Sequence, residues 1–323
     1  MRPTELDAVQ RMLPEELPFM YFADRESPWL LAKRIGEGAR VCDLKRSADA
    51  RWLARPLVKP VVTASGGTVR AVDLKAVAYA DQGFNEAQSP AALAGVIAAF
   101  ELPWHDLTLS FTEWGRGRGD DFSQMSRKGG NLVIQVGFPS DHAALMGRYI
   151  PDVPRKRLEF DLHPIRTTGR PTLAWARVDV DVDSGTALIE EVQSDWLRFA
   201  AGQVEALEGL DPRSRSLRNW RQYEADLRKR YGKLWPRATL LATLAVLDDL
   251  LGIKDVFMHQ PTGGAVLKRI CGTHPPASLY SALPKSFGFE STTDVPNFLR
   301  GPRRRGLVRL KKMGLPFFWH LRL

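Results

Sequence analysis

The chain has 323 residues, 44% of them hydrophobic and 26% charged, with 9 Trp, 6 Tyr and 15 Phe. That balance excludes a disordered, collagen-like or disulfide-stapled chain and is enough for one large domain or two ordinary ones. The formal charge of +9 is uneven: residues 1–150 carry 18 basic and 18 acidic side chains, residues 211–237 nine and three, and residues 297–323 eight and none. The two basic stretches suit an anionic partner such as nucleic acid, a phosphorylated cofactor or a lipid surface.

Cys42 and Cys271 stand far apart, so neither a thiolate zinc site nor a disulfide framework is expected. The first 20 residues carry acids where a signal peptide needs an apolar core, and no 18-residue apolar run occurs anywhere. A cytoplasmic protein without a transmembrane segment is the expectation.

In chain order, Ser27–Pro28 reads as a cap and first turn for a short helix that buries Trp29, Leu30 and Ile35 and ends near Gly36. Residues 61–73 read as a hairpin around Gly66–Gly67. Ser89–Pro90 precedes a helix-forming run through Phe100. The segments 107–114 and 131–138 alternate and are rich in β formers, joined by a glycine-rich loop. Within that loop Arg116 and Arg118 of GRGRG are only a weak signal for contact with RNA phosphates, since the arginines are two and no aromatic residues interleave them. Ser140 is placed to cap a helix through Ala143, Leu145 and Met146.

Residues 172–182 and 187–193 form a second strand pair across Asp183–Ser184–Gly185. A basic helix is predicted around Leu217–Tyr231. Leu240, Leu244, Leu247 and Leu251, at spacings of four, three and four, give the next helix one apolar face, and Gly252 stops it. A strand at 253–258, a turn at Gly263–Gly264, a helix at 277–287 and an extended segment from Gly288 follow. No internal repeat is evident. The fold class is mixed α/β, with a mainly helical region 1–102, a mixed sheet flanked by helices over 103–296, and a basic, aromatic segment 297–323. Docking of Leu315, Phe317, Phe318 and Trp319 onto the body is preferred for that last segment. Arg303–Arg305 and Lys311–Lys312 leave nucleic acid or an anionic bilayer as alternatives.

The segment 189–196, IEEVQSDW, turns abruptly from an apolar strand to polar groups. Strand ends are where loops converge on ligands in α/β sheets. Strand alternation implies that Glu190 and Glu191 cannot both face one side, so one of the two is the candidate general base. Asp195 or Ser194 also fits a plain helix cap, and Trp196 a core filler. His259 ends a strand and is an accessory proton carrier. No metal is predicted, because His105, His142, His163, His259, His274 and His320 form no compact ligand set.

IEEVQSDW resembles a segment of a domain found in large polyvalent proteins of phages and mobile elements. The Leu-rich helix, GIKDVFMHQPTGG and SLYSALPKSFGF follow in the same order, over about residues 170–292. Leu197 stands where that family often has His. The same order resembles the second half of the GCN5-related N-acetyltransferase fold, which implies an acetyltransferase-like sheet. It also implies acyl-CoA as donor and a small-molecule or protein amine as acceptor. On that resemblance Tyr280 protonates the departing thiolate and Glu190 or Glu191 deprotonates the amine. The family's [QR]-x-x-G-x-[GA] loop is missing, with Ala200–Gln203 only a faint substitute, so either Gln193, Ser194, Asp195, Arg213, Arg215 and Arg218 are expected to hold the donor's phosphates or the chain is a related shell without coenzyme A. The alternative is a non-enzymatic nucleic-acid-binding or mobile-element accessory module that uses 213–237 and 297–323.

Overall fold

The structure, a computed structural model, describes residues 1–79, 103–115, 124–159, 163, 165–166, 168–270, 277–300 and 305–323. The expected helix after Ser89–Pro90, Arg116, Arg118, Cys271, His274, Arg303 and Arg304 lie outside these residues. The fold is mixed α/β with helices near the N-terminus. The chain divides into a larger unit, Met1–Leu17 with Leu107–Arg322, and a smaller one built from Pro18–Asp106. Strand β1 (Glu16–Phe22) runs across the first division. No helix among the described residues is long and apolar enough to cross a membrane.

The smaller unit packs short helices around Phe22, Leu57 and Val77. Its Glu26–Arg34 helix buries Trp29, Leu30 and Leu31. Ser27 lies inside that helix rather than capping it, and its hydroxyl donates to Asp24 at 2.6 Å. The hairpin expected around Gly66–Gly67 is instead a helix, Lys59–Ala64, followed by a turn. Pro60 presets the first helical turn, so residues 61–64 cannot serve as a strand. Strand β3 (Thr68–Arg70) pairs with β2 (Gly38–Arg40), antiparallel and centred on Ala39–Val69. Each strand runs straight into a helix, and Val41 N–H donates to Gly67 O as Ala71 N–H donates to Glu37 O. The two strand–helix pieces, Arg40-Val-Cys-Asp-Leu44 and Arg70-Ala-Val-Asp-Leu74, are therefore a local repeat, too short to show as periodicity in the sequence.

In the larger unit seven strands follow in the order β4 (Trp104–Trp114), β5 (Asn131–Gly137), β6 (Thr172–Asp181), β7 (Thr186–Gln193), β8 (Asp255–His259), β10 (Phe318–Arg322) and β9 (Glu290–Thr292). β7 and β8 are parallel; every other neighbouring pair among these seven is antiparallel. A parallel pair needs a long crossover. Here it consists of the helices Asp195–Leu210, Arg215–Tyr231 and Leu234–Ala245, the last extended by a π turn at Val246–Leu250. That last helix lies on β5, β6 and β7. Leu240, Leu244 and Leu247 are fully buried, and Gly252 ends the run at a φ of +68°.

After β8, Gly263 and Gly264 lie within a helix, Pro261–Lys268, rather than in a turn. A Cβ on Gly263 would stand 2.2 Å from the carbonyl oxygen of Phe317, so only glycine lets this helix settle against the chain entering β10. Residues 277–287 form two short helices, Ala277–Tyr280 and Ala282–Ser286. The segment expected to be terminal supplies β10, an inner strand between β8 and β9. Its apolar residues explain this: Leu307, Leu310, Phe317 and Phe318 share a core cluster with Leu188, Phe257 and Val295.

Candidate functional site

The site grows from a single irregularity in β7. Opposite β6, Arg177 faces Glu191 while Val178 faces Ile189, so Glu190 is an extra, bulged residue. Leu188 and Glu190 share a face by alternation, and Glu191 shares the face of its partner Arg177. Arg177 and Asp179 lie on one face of β6, and Asp179 faces Leu188. Both glutamates therefore look to the same side of the sheet. This corrects the expectation that alternation separates them: alternation holds only in an unbroken ladder.

Glu190 is fully buried. Its carboxylate accepts the backbone N–H of Ser126 at 2.8 Å and the Ser126 hydroxyl at 2.9 Å, and lies 3.0 Å from His259 Nε2. Burial alone would raise its pKa. The hydrogen bond from His259, with the charges of Lys268 and Arg177, outweighs burial and holds it down at about 2. Ser126 Oγ is also 2.8 Å from His259 Nε2. Serine and glutamate thus meet the same ring nitrogen, which is not the relay of a Ser–His–acid triad, where each takes a different one.

Glu191 forms an ion pair with Arg177 at 2.7 Å, and their side chains are 20% and 1% exposed. Arg177 also donates to Gln124 O at 2.9 Å and lies over the Trp114 ring. The carboxylate is therefore the solvent-facing member of a buried pair.

Past Ile189–Met258 the β7–β8 ladder stops, although β7 continues to Gln193. Two side chains take up backbone groups of that unpaired stretch. Lys268 Nζ donates to Glu190 O at 2.9 Å, and the Tyr280 hydroxyl accepts the Val192 N–H at 3.1 Å. Burial, followed by the charge of Glu191, pushes the Tyr280 phenol well above its usual range. Burial also lowers the pKa of Lys268.

A cavity of about 590 Å³ opens where the strands part, lined by Glu191, Gln193, His259, Lys268 and Tyr280 among others. Of the residues singled out in the sequence, the fold thus brings Glu191, Tyr280, His259, Gln193 and Ser194 to one wall. Glu190 is not in that wall; it lies sealed against Ser126 and His259. Ser194 caps the Asp195–Leu210 helix by accepting Leu197 N–H, and its hydroxyl donates to Leu173 O at 2.6 Å. Asp195 accepts from the Trp175 indole at 2.8 Å and Arg198 at 2.8 Å, lies 2.7 Å from His163 Nδ1, and also bonds Gln193. Burial raises its pKa, but these hydrogen bonds and charges outweigh burial and lower it. Asp195 is therefore a clasp for the wall rather than a phosphate ligand. Trp196 fills the helix side, donating to the Tyr223 hydroxyl at 2.7 Å.

Arg213, Arg215 and Arg218 are exposed at the start of the Arg215–Tyr231 helix and are absent from the wall. Ala200–Gln203 is mid-helix and offers no phosphate loop. The cations in the wall are instead Arg198 and Lys268, which stand there together with His163 and Gln124. Arg177 alone left a signal: a charged residue amid the β formers of 172–182. Ser126 left none. No family model matches this chain, no curated protein matches its sequence, and no solved structure matches it.

Proposed function

We propose that the larger unit transfers an acyl group from an acyl-coenzyme A to an amine, on a small molecule or a protein. One observation carries this reading: β7 parts from β8 after Ile189–Met258, and Glu191 and Tyr280 both line the cavity formed there. A single parallel pair in an otherwise antiparallel run of strands also agrees with the acetyltransferase-like sheet implied by the resemblance. The likeness of 189–196 to a domain of phage and mobile-element polyvalent proteins supports kinship and adds no chemistry.

In this reading Glu191 draws the acceptor's ammonium group into the cavity. Its charge is shared with Arg177, so it attracts a cation more readily than it removes a proton. Tyr280 is the acid. Its oxygen accepts the Val192 N–H and its pKa is raised, so the phenol keeps its proton at neutral pH and can give it to a departing thiolate. These residues fit the thioester end of the donor. Its phosphates have no glycine-rich loop to meet, and Arg198 and Lys268 are the wall cations able to offset their charge.

Titration calorimetry with acetyl-coenzyme A tests the reading. Saturable binding is expected. Tyr280→Phe should keep that binding while kcat falls about 100-fold or more, the ordinary worth of a general acid. A wild-type protein that does not bind acetyl-coenzyme A overturns it.

A second reading rests on a different observation. Arg213, Arg215 and Arg218 are exposed, and no carboxylate among the described residues pairs with them. Such a face suits a nucleic acid, whose affinity would fall steeply and log-linearly with salt.

A further inference from the structure

The acyl-transfer reading leaves open which group takes the amine's proton, and the inference below rests on that reading. His259 is among the residues lining the cavity, and its Nδ1 is a buried atom without a hydrogen-bond partner among the described residues. The other ring nitrogen is fixed. Nε2 faces Glu190 Oε2 at 3.0 Å, and an ionised carboxylate only accepts. The Ser126 hydroxyl donates to the same carboxylate oxygen. The network therefore assigns the proton to Nε2 and leaves Nδ1 with a lone pair.

The groups facing the ring come from several elements: Glu190 from β7, Arg177 from β6, Ser126 from the preceding loop, Lys268 from the Pro261–Lys268 helix, and the Phe318 ring from β10 at 5.2 Å. Burial first, then the charges of Lys268 and Arg177, lower the His259 pKa; Glu190 opposes them without reversing the direction. The ring is therefore neutral at pH 7. Gly264 packs closely on the ring, since a Cβ there would stand 3.3 Å from His259 Cβ and 3.4 Å from Cγ.

The geometry points to His259, rather than either glutamate, as the general base of the transfer. Nδ1 takes a proton from the acceptor's ammonium. The freed nitrogen pair forms the bond to the acyl carbon, and the C–S bond breaks with its electrons on sulfur. The Tyr280 proton passes to that sulfur. The acylated nitrogen still carries one proton too many and gives it up to restore Tyr280, and His259 returns its own proton to solvent, for a net release of one proton per turnover. Glu190 acts through His259 as a positioning residue that fixes the tautomer.

His259→Gln separates the two ring nitrogens, because glutamine keeps a donor near Nε2 and has no lone pair in place of Nδ1. The variant should bind acetyl-coenzyme A like wild type. Thiol release with spermidine or a lysine peptide as acceptor should fall about 100- to 10,000-fold, with loss of the acidic limb of kcat/KM. Nitrogen-15 spectra of the wild-type imidazoles at pH 7 should show a protonated Nε2 and a bare Nδ1 for His259, whether or not the variant folds. A protonated Nδ1, or a folded His259→Gln variant with full kcat and an intact acidic limb, overturns the assignment alone. A wild-type protein that fails to bind acetyl-coenzyme A overturns both this assignment and the acyl-transfer reading.

Discussion

The helix-covered face of the central sheet and the polar part of its other face, beside the apolar cluster of Leu188, Phe257 and Phe318, are built on opposite principles. On one face Ile134, Val136, Ala176, Val178, Ala187 and Ile189 meet the Leu-rich helix, and stability there scales with apolar area removed from water. On the other, Arg177, Asp179, Glu190, Glu191 and His259 stand on neighbouring strands, and each buried charge needs its own donors or acceptors. Asp179, for instance, is held by Arg127 at 2.6 Å and by the amino group of Met1 at 2.8 Å. The first face is sensitive to volume and the second to the identity of single atoms. That difference explains how one strand, β7, can serve as core and as cavity wall at once.

Substitutions that preserve shape should separate the faces most strongly. Glu190→Gln changes almost no volume, yet it breaks the buried carboxylate's match to Ser126 and His259. A loss of about 3–5 kcal/mol is expected in urea unfolding. Leu244→Met on the other face should cost less than about 1.5 kcal/mol. Leu244→Ala, which leaves a void, should cost about 2–5 kcal/mol with no change in pH dependence. If Glu190→Gln proves as mild as Leu244→Met, the contrast between the faces fails.

Acid should sharpen the comparison. Glu190 has a native pKa of about 2 against 4.5 for the free side chain. It stabilises the fold fully above 4.5, and that contribution is lost as pH falls from 4.5 through 2. The helix-covered side has an acid-sensitive group of its own. His142 stacks on Phe138 at 3.5 Å beside Trp196 and Tyr231, and burial followed by the Arg230 charge lowers its pKa to about 3. Its neutral form is favoured in the fold, so stability present above 6.5 declines by about 1.4 kcal/mol per pH unit between 6.5 and 3. His142→Phe should flatten the unfolding midpoint over that range, while Glu190→Gln should flatten it only below 4.5. Circular dichroism melts at stepped pH check both. The smallest effect is expected at the junction of the two faces: Ser194→Ala removes the cap of the Asp195–Leu210 helix and should lower stability by about 1 kcal/mol.

Much of the helix-covered face was legible in the chain. The strands of 107–114, 131–138, 172–182 and 187–193 follow from alternation, and the Leu240–Leu251 spacing identifies the helix that covers them. The site was legible only by address. IEEVQSDW marks the right strand end, and Tyr280 and His259 reach the same cavity from 87 and 66 residues beyond Gln193. Its wiring was not legible. The bulge at Glu190 reverses the alternation argument, and no residue type in the sequence announces a bulge. Ser126 lies in a glycine-rich loop without periodicity, and Gly263–Gly264 reads as a turn until Phe317 is known to press against it.

The sequence by itself determined the α/β class, the apolar ladder of the sheet and the polar ending of β7, because periodicity and residue chemistry are local properties of the chain. Only the tertiary structure decided that both glutamates face one side, that Arg177 neutralises one and His259 binds the other, and that the C-terminal aromatics form an inner strand. Those outcomes depend on register and on contacts between residues from 14 apart, as in Arg177–Glu191, to 69 apart, as in Glu190–His259, and a hydrogen bond or an ion pair exists only once both partners are in place.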